Sequence, residues 1–480
     1  MTPVIALAPT IARFDLGRGR TKSAAHQIAL ALVWLTVAIS SIVFDEPAPV
    51  DAMTIGLMIL LPVVGLVDAK PMLWAGFAVV FAMTACGEVS AALARETGIA
   101  VSHMTVSLYL VGAWFLFAAF VAKNPEKHTR LILNAYLVAG IIAALCGIVG
   151  YLNLFPGSYD LFTRYDRASG PFKDPNVFGP FLVAPLLTAL HLWLVRPLRR
   201  GILPLIAAAI LAVGILFSFS RGAWAAATIG IGLYSYFYTI TANSNRERLK
   251  LAALVLLCIA VLALILAAAF KSEAISNLLE QRTALTQSYD VGPDGRFGGQ
   301  LKAVGLILDN PLGIGAAIFT RFYHHEEVHN IYLSMFLNAG WVGGLLYLMT
   351  CLGTLAFGFR HVFKKTPSSP LFLIVFSALA GNICEGVLID SDHWRHFYLL
   401  LALVWGMMAA DQRQLRPARI LRDLRPVLLQ SVLLIPPSRR PMRIVGFAPM
   451  PTVLELKSKY AGKIPGWRSG HGRIIASVSA

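Results

Sequence analysis

The sequence is poor in charged residues and in cysteine. Only 14% of its 480 residues are charged and 57% are hydrophobic, whereas an average soluble domain is about 25% charged. The five cysteines lie in apolar stretches and form no CxxC pair, so neither a disulfide framework nor a cysteine zinc site is expected. Acidic residues number 25 against 41 basic ones. No basic stretch is interleaved with a nucleic-acid module, so the excess indicates basic cytoplasmic loops of a membrane protein and no nucleic acid as partner.

Long apolar runs are abundant in the sequence. A membrane-spanning helix needs about 20 mostly apolar residues, and twelve runs approach that length. They lie at 26–44, 52–68, 71–87, 104–122, 131–152, 177–195, 201–219, 222–241, 249–270, 331–357, 370–389 and 394–410. The predicted fold class is therefore all-α, a polytopic transmembrane helix bundle of about twelve spans.

The charges between the runs predict the topology. Basic residues follow every even-numbered run except the second, where Asp68 and Lys70 balance. The positive-inside rule then places both termini in the cytoplasm. We expect a cytoplasmic segment at 1–25, a transmembrane domain at 26–410 that begins with an uncleaved signal anchor, and a cytoplasmic tail at 411–480. The tail is basic and rich in proline, so we expect it to be disordered and attracted to anionic lipid.

The opposite side of the membrane receives the loops 153–176, 271–330 and 390–393. Loop 271–330 is too long for a simple connection. Within it Leu301, Val304 and Leu308 share one helical face, which predicts an amphipathic helix around 298–309.

Several polar residues in these loops are candidates for function. Arg221 lies in the short turn Phe219–Gly222 between two apolar runs, where a charge either serves a ligand or snorkels to lipid headgroups. Asp174 and Asn176 either cap the following helix or bind sugar hydroxyls. Asp392 is expected to be a solvated loop carboxylate, with orientation of a catalytic side chain as the alternative.

The segment His325–His329 matches the zinc-protease pattern H-E-x-x-H. On a helix this spacing places two imidazoles on one face, with Glu326 as the general base. The segment lies in a polar junction, and a third protein ligand is not evident, although Asp392 and His393 are candidates. A membrane zinc protease is therefore a minor alternative.

Four stretches in order resemble the O-antigen ligase and O-antigen polymerase family. They are Gly170–Gly179, Ser220–Ala223, Gly295-Arg296 followed by Asn310–Gly315, and His329–Leu333 with Gly340 and Gly343. The resemblance implies a metal-independent, inverting glycosyltransferase without cofactors in the bacterial cytoplasmic (inner) membrane. Its donor would be a glycan on undecaprenyl diphosphate, and its acceptor either the lipid A core or a second lipid-linked glycan.

The resemblance also suggests roles for individual residues. Arginines recognise phosphate and neutralise the charge of a departing diphosphate, which favours Arg221 and Arg296 as catalytic residues. Histidine suits a general base for a sugar hydroxyl, and His329 occupies the family motif position. The candidate substrate-binding residues are Arg164, Lys173, Asp174, Asn176, Asn330 and Asp392. No metal ligand is assigned.

A transporter is the main alternative from another class, because twelve spans are also common among transporters. Transporters usually place ionisable residues near the bilayer midplane. Here the middles of the runs are nearly free of charge apart from Glu385. The sequence does not separate a ligase from a polymerase.

Overall fold

The computed structural model describes residues 15–241, 244–256 and 292–411. Predictions for the first 14 residues, for residues 257–270 of the span 249–270, for loop residues 271–291 and for the tail from residue 412 lie outside this part of the chain. The helices preceding the family motifs are α1 Asp15–Ala38, α2 Pro49–Val64, α3 Pro71–Ala92, α4 Thr97–Lys123, α5 Pro125–Tyr151 and α6 Ser158–Phe162. Those that follow are α7 Pro175–Phe181, α8 Val183–Val195, α9 Leu198–Phe217, α10 Arg221–Thr241, α11 245–256, α12 Arg296–Asp309, α13 Phe319–Phe322, α14 Ile331–Val362, α15 Ser369–Glu385 and α16 395–411.

A helix lies at every predicted span that falls within the described residues. Among the described residues, six helical segments are long and apolar enough to cross a membrane: α3, α4, α5, α7 with α8, α9 and α14. The apolar part of α1, together with α2 and α15, is shorter. The all-α, multi-pass architecture is confirmed, whereas the count of twelve spans and the side on which each loop lies stay predictions.

Two predicted boundaries differ from the structure. Helix α1 begins at Asp15, inside the segment 1–25 that we separated from the first span. The predicted amphipathic helix at 298–309 is present as α12, which begins two residues earlier at Arg296. The first loop contains a small hairpin in addition, with β1 Thr163–Arg164 antiparallel to β2 Arg167–Ala168.

Small residues allow the helices to approach one another closely. Helix α10 packs along α15, and α3 packs along α14. A Cβ on Gly381 of α15 would lie 2.4 Å from the backbone oxygen of Ala226 in α10. Close backbone approach at small residues is the usual means of helix association in a membrane, where no hydrophobic effect drives helices together.

Helix α14 is kinked at Gly340, where φ is 70° and ψ is −173°. The kink breaks the helical bond between Leu337 and Trp341, and the loop after α12 replaces it. Ile314 N donates to Leu337 O at 2.8 Å, and Trp341 N donates to Pro311 O at 2.9 Å. The motif Asn310–Gly315 therefore supplies hydrogen-bond partners for the backbone groups that the kink leaves unbonded.

Replacing Gly340 by alanine is expected to destabilise the contact between the kink and the motif Asn310–Gly315. A Cβ there would lie 2.5 Å from Pro311 O, and the backbone is left-handed, which alone costs about 1–3 kcal/mol for a residue other than glycine. We expect a lower Tm in detergent and less protein in the membrane. Gly305→Ala is the matched control, because a Cβ at this position of α12 would meet no neighbouring element within 4 Å among the described residues, and alanine should stabilise that helix by about 0.5–1 kcal/mol. Equal Tm values for the two variants would contradict the interpretation of the kink.

Candidate functional site

The segment that connects α15 to α16, residues 386–394, meets two of the three predicted catalytic residues. The backbone N–H of His329 donates to Asp390 Oδ2 at 2.8 Å. Arg296 Nη2 donates to His329 O at 3.1 Å and also to Leu388 O. Arg296, His329 and this connecting segment therefore form one hydrogen-bonded unit, although they lie far apart in the sequence.

His329 has an unusual backbone. Its φ is 51°, in the left-handed region that a histidine rarely adopts. Two hydrogen bonds hold it there: its N–H donates to Asp390, and its C=O accepts from Arg296. Strained conformations of this kind are concentrated at functional sites, because the surrounding structure must stabilise them.

Asp390 is the anchor of this unit. Its second carboxylate oxygen accepts from Ser334 Oγ at 2.6 Å, in the first turn of α14. Burial raises the pKa of Asp390 to about 7, and the nearby Asp392 and Glu327 act in the same direction, whereas Ser334 opposes them. Sequence analysis did not single out Asp390, since its contact with His329 joins two loops without any periodic pattern.

Arg221 is the first residue of α10, after the tight turn that the sequence predicts. Ser220 Oγ accepts from Ala223 N at 3.3 Å and so caps the helix. The next residue, Gly222, packs against α15 so closely that a Cβ would lie 2.6 Å from Glu385 Oε1. This contact places the Arg221 turn at the same end of α15 from which the connecting segment begins.

Glu385 itself is buried, with 1% of its surface exposed. Neither of its carboxylate oxygens has a hydrogen-bond partner among the described residues. A buried carboxyl group without a partner is costly.

Asp174 and Asn176 have structural partners. Asp174 Oδ1 accepts from Asn176 N at 2.7 Å and caps α7. Asn176 Oδ1 accepts from Arg167 Nη2 at 2.7 Å, and Arg167 Nε donates to Ser218 O at 2.7 Å. Arg167 thus joins the hairpin to α7 and to the turn before Arg221, a role that the sequence did not reveal.

Asn330 is also a capping residue. Its side-chain oxygen accepts from Tyr332 N at 3.1 Å and from Leu333 N at 3.3 Å, at the start of α14. The cap fixes the direction in which the chain leaves His329. A contact of Asn330 with a sugar stays a prediction.

Arg164 and Lys173 carry the more accessible charges of the first loop. Arg164 is exposed on the hairpin, and its guanidinium donates to Asp160 O at 3.3 Å. Lys173 is 47% exposed and pairs with Asp45 at 3.3 Å. The described contacts do not bring either residue to His329.

A cavity of about 250 Å³ lies between α1, α2, α4, α7 and α16. Apolar side chains form most of its wall. Lys173, Asp174, Glu46, His393 and Arg395 supply charged or polar lining. Arg395 is fixed by Asp51, with Nε to Oδ1 at 2.7 Å and Nη2 to Oδ2 at 2.8 Å.

Asp392 lies at the junction between this cavity and the His329 unit. Its side chain is 17% exposed, and Oδ2 lies 2.8 Å from His103 Nε2 in α4. Burial acts to raise the pKa of Asp392, but His393 and His103 outweigh it, and the pKa is lowered. The expectation of a solvated loop carboxylate is therefore wrong. Its partner was missed because His103 lies 289 residues away, directly before the apolar run 104–122.

Residues 206–348 match the family model described as O-antigen ligase. The matched stretch extends from α9 to the middle of α14 and contains Arg221, Arg296, His329 and Asn330. The similarity is to the O-antigen ligase family. A search of curated proteins gave no match. The family implies a membrane glycosyltransferase-like enzyme that acts on lipid-linked glycans, and this agrees with the multi-pass helical architecture.

The O-antigen ligase match does not extend to every candidate residue. Arg164, Lys173, Asp174, Asn176 and Asp392 lie outside residues 206–348. Substrate-binding roles for these residues stay predictions.

The matched stretch also contains the H-E-x-x-H pattern, and its geometry argues against a zinc protease. Residues 325–329 are not helical, since they lie between α13 and α14. His325 is 62% exposed, whereas the backbone of His329 is held by Asp390. The helical face on which the two imidazoles of a zinc protease would meet does not exist here.

Proposed function

We propose that the protein is an O-antigen ligase of the bacterial inner membrane. It moves a glycan from undecaprenyl diphosphate to a hydroxyl of the lipid A core on the periplasmic face. The observation that carries the proposal is the hydrogen-bonded unit of Arg296, His329 and Asp390 within a matched O-antigen ligase domain. The alternative is a polymerase, which would use the same donor with a second lipid-linked glycan as acceptor.

The proposed reaction is a single inverting displacement. His329 accepts the proton of the acceptor hydroxyl, and the oxygen attacks the anomeric carbon. The bond from that carbon to the diphosphate oxygen breaks, and undecaprenyl diphosphate leaves with the electron pair. Arg296 and Arg221 neutralise the charge that develops on the diphosphate, so no metal is required for the chemistry.

The placement of Arg296 supports this division of roles. Its guanidinium lies against the backbone of His329, so a base and a cation are held in fixed relation. Arg221 reaches the same end of α15 through the packing of Gly222. We propose that a glycosyl diphosphate binds between these arginines with the anomeric carbon of its sugar toward His329.

The remaining predicted residues receive secondary roles. We propose that Lys173, a half-exposed cation at the cavity, guides an anionic substrate and that Arg164 assists from the hairpin. Asp174, Asn176 and Asn330 support the site through caps and hydrogen bonds. We propose that the two termini are cytoplasmic, because the basic residues follow the even-numbered spans.

Acceptor choice tests the proposal directly. Purified protein is supplied with a lipid-linked glycan and either a lipid A core or a second lipid-linked glycan. A product on the lipid A core is expected. A product only on the lipid-linked acceptor would identify a polymerase, and solute movement in vesicles without any glycan product would favour a transporter.

Replacing Arg221 by lysine is expected to lower the rate by about 10–100-fold, because lysine keeps the charge but loses the bidentate geometry toward phosphate. Transfer is measured with saturating acceptor. Arg200→Lys is a control, since Arg200 lies near the start of α9 and 21 positions before Arg221. If the rate of Arg221→Lys equals that of the unmodified protein, Arg221 does not act through bidentate phosphate binding.

A further inference from the structure

His103, Asp392 and His393 form a cluster of three side chains with metal-binding chemistry. One potential ligand atom from each lies within 4.8 Å of the others. His103 comes from α4, whereas Asp392 and His393 come from the segment between α15 and α16. The cluster therefore joins two elements that lie 289 positions apart in the sequence.

The two imidazoles are held in a defined orientation. Their ring centroids are 3.9 Å apart, and the rings are stacked with an angle of 29° between planes. His393 Nε2 lies 3.1 Å from Ser107 Oγ, one helical turn after His103 in α4. When Nε2 donates to Ser107, the lone pair of His393 is on Nδ1, which is the usual way in which an outer hydrogen bond orients a metal ligand.

The distances are close to those of a metal site. Zinc binds imidazole nitrogen and carboxylate oxygen at about 2.0–2.2 Å, so the ligand atoms of a tetrahedral site are about 3.3 Å apart. His103 Nε2 and Asp392 Oδ2 are 2.8 Å apart, and the largest separation in the cluster does not exceed 4.8 Å. Small side-chain rotations would bring the three atoms around one ion.

We propose that His103, Asp392 and His393 bind a divalent transition-metal ion that fastens α4 to the segment 386–394. Two imidazoles and one carboxylate suit zinc, cobalt or iron(II) better than the hard ions magnesium and calcium. The role of the ion is structural, since Arg296 and His329 bond to other residues of the segment, Leu388 and Asp390. Binding of the ion is independent of whether the protein is a ligase.

Zinc binding by the full-length protein in detergent tests this site. The protein is treated with a chelator, titrated with zinc chloride and analysed for bound metal after desalting. We expect about one zinc per chain and an increase in Tm on binding. Asp392→Asn and His103→Gln should each weaken binding more than tenfold. His325→Gln is the matched control, because His325 is 62% exposed and outside the cluster, and its zinc binding should equal that of the unmodified protein.

His393→Cys provides a second test if Asp392→Asn or His103→Gln folds poorly, because a cysteine ligand adds a spectroscopic signal. His393→Cys loaded with cobalt(II) should show a thiolate-to-cobalt absorption band that the unmodified protein lacks. Absence of that band in a folded variant would overturn the proposal. So would zinc binding that Asp392→Asn and His103→Gln leave unchanged, or no zinc retained by the unmodified protein, in which case the cluster is a hydrogen-bonded His–Asp pair only.

Discussion

Replacing His329 by alanine is expected to lower glycan transfer by about 10²–10⁴-fold, the usual contribution of a general base. The acceptor hydroxyl would then lose its proton only to water. The loss should appear in kcat, since the alanine variant retains the arginines that bind the diphosphate. Transfer to the lipid A core is measured in vitro, and the envelope glycan is examined in cells that carry the variant alone.

The backbone of His329 makes the choice of control important. Alanine, like histidine, rarely adopts φ 51°, but the hydrogen bonds to Asp390 and from Arg296 involve backbone atoms that the substitution keeps. We therefore expect normal amounts of variant protein in the membrane. His325→Ala removes an exposed histidine from the same loop and should leave transfer unchanged. A normal glycan pattern with His329→Ala would exclude His329 as the base.

Helix positions were predictable because apolar runs are a local property of the sequence. The run 131–152, for example, predicts helix α5 without reference to any other part of the chain. The tight turn before Arg221 was predictable for the same reason, since only a few residues separate two runs. The start of α1 at Asp15 was not, because its first turns carry polar residues that resemble a loop.

The candidate site was predictable only where a motif marked it. His329 and Arg296 were chosen by the family resemblance, and the structure links them. Asp390 and His103 have no motif, and their contacts join residues 61 and 289 positions away. Such contacts depend on how the helices pack, which neither composition nor periodicity specifies.

Capping residues show a different limit of sequence analysis. Asp174 and Asn330 each precede a helix, where caps and ligand-binding residues have the same chemical requirement, an oxygen that accepts hydrogen bonds. The structure gives both of them backbone N–H partners. Sequence alone left the two roles equally open for Asp174.

Arg296→Ala is the second substitution for which a large effect is expected. Nη2 of Arg296 donates to His329 O and to Leu388 O, so the side chain both carries charge and joins two loops. Loss of a group that stabilises developing negative charge lowers the rate by about 10²–10³-fold. The bridge is lost as well, and we expect the segment 386–394 to become more mobile in hydrogen exchange.

Arg296→Lys separates the two roles of Arg296. Lysine keeps the positive charge, but its single ammonium does not reproduce the planar guanidinium that donates to two carbonyls while facing a phosphate. If Arg296 acts on the diphosphate, Arg296→Lys should lower kcat less than Arg296→Ala does, and added guanidinium should partly restore the alanine variant. If the bridge alone matters, lysine and alanine should be equally defective, and hydrogen exchange should change equally in both.

Arg321→Ala is the matched control for Arg296. Arg321 is half exposed and pairs with Glu96 at 2.9 Å, so it is a second arginine of the same region that takes part in an ordinary ion pair. An exposed ion pair of this kind contributes about 0–1 kcal/mol, and we expect transfer to remain close to that of the unmodified protein. Equal losses for Arg321→Ala and Arg296→Ala would mean that the net positive charge of the region attracts the donor. The fixed guanidinium beside His329 would then have no special part in the reaction.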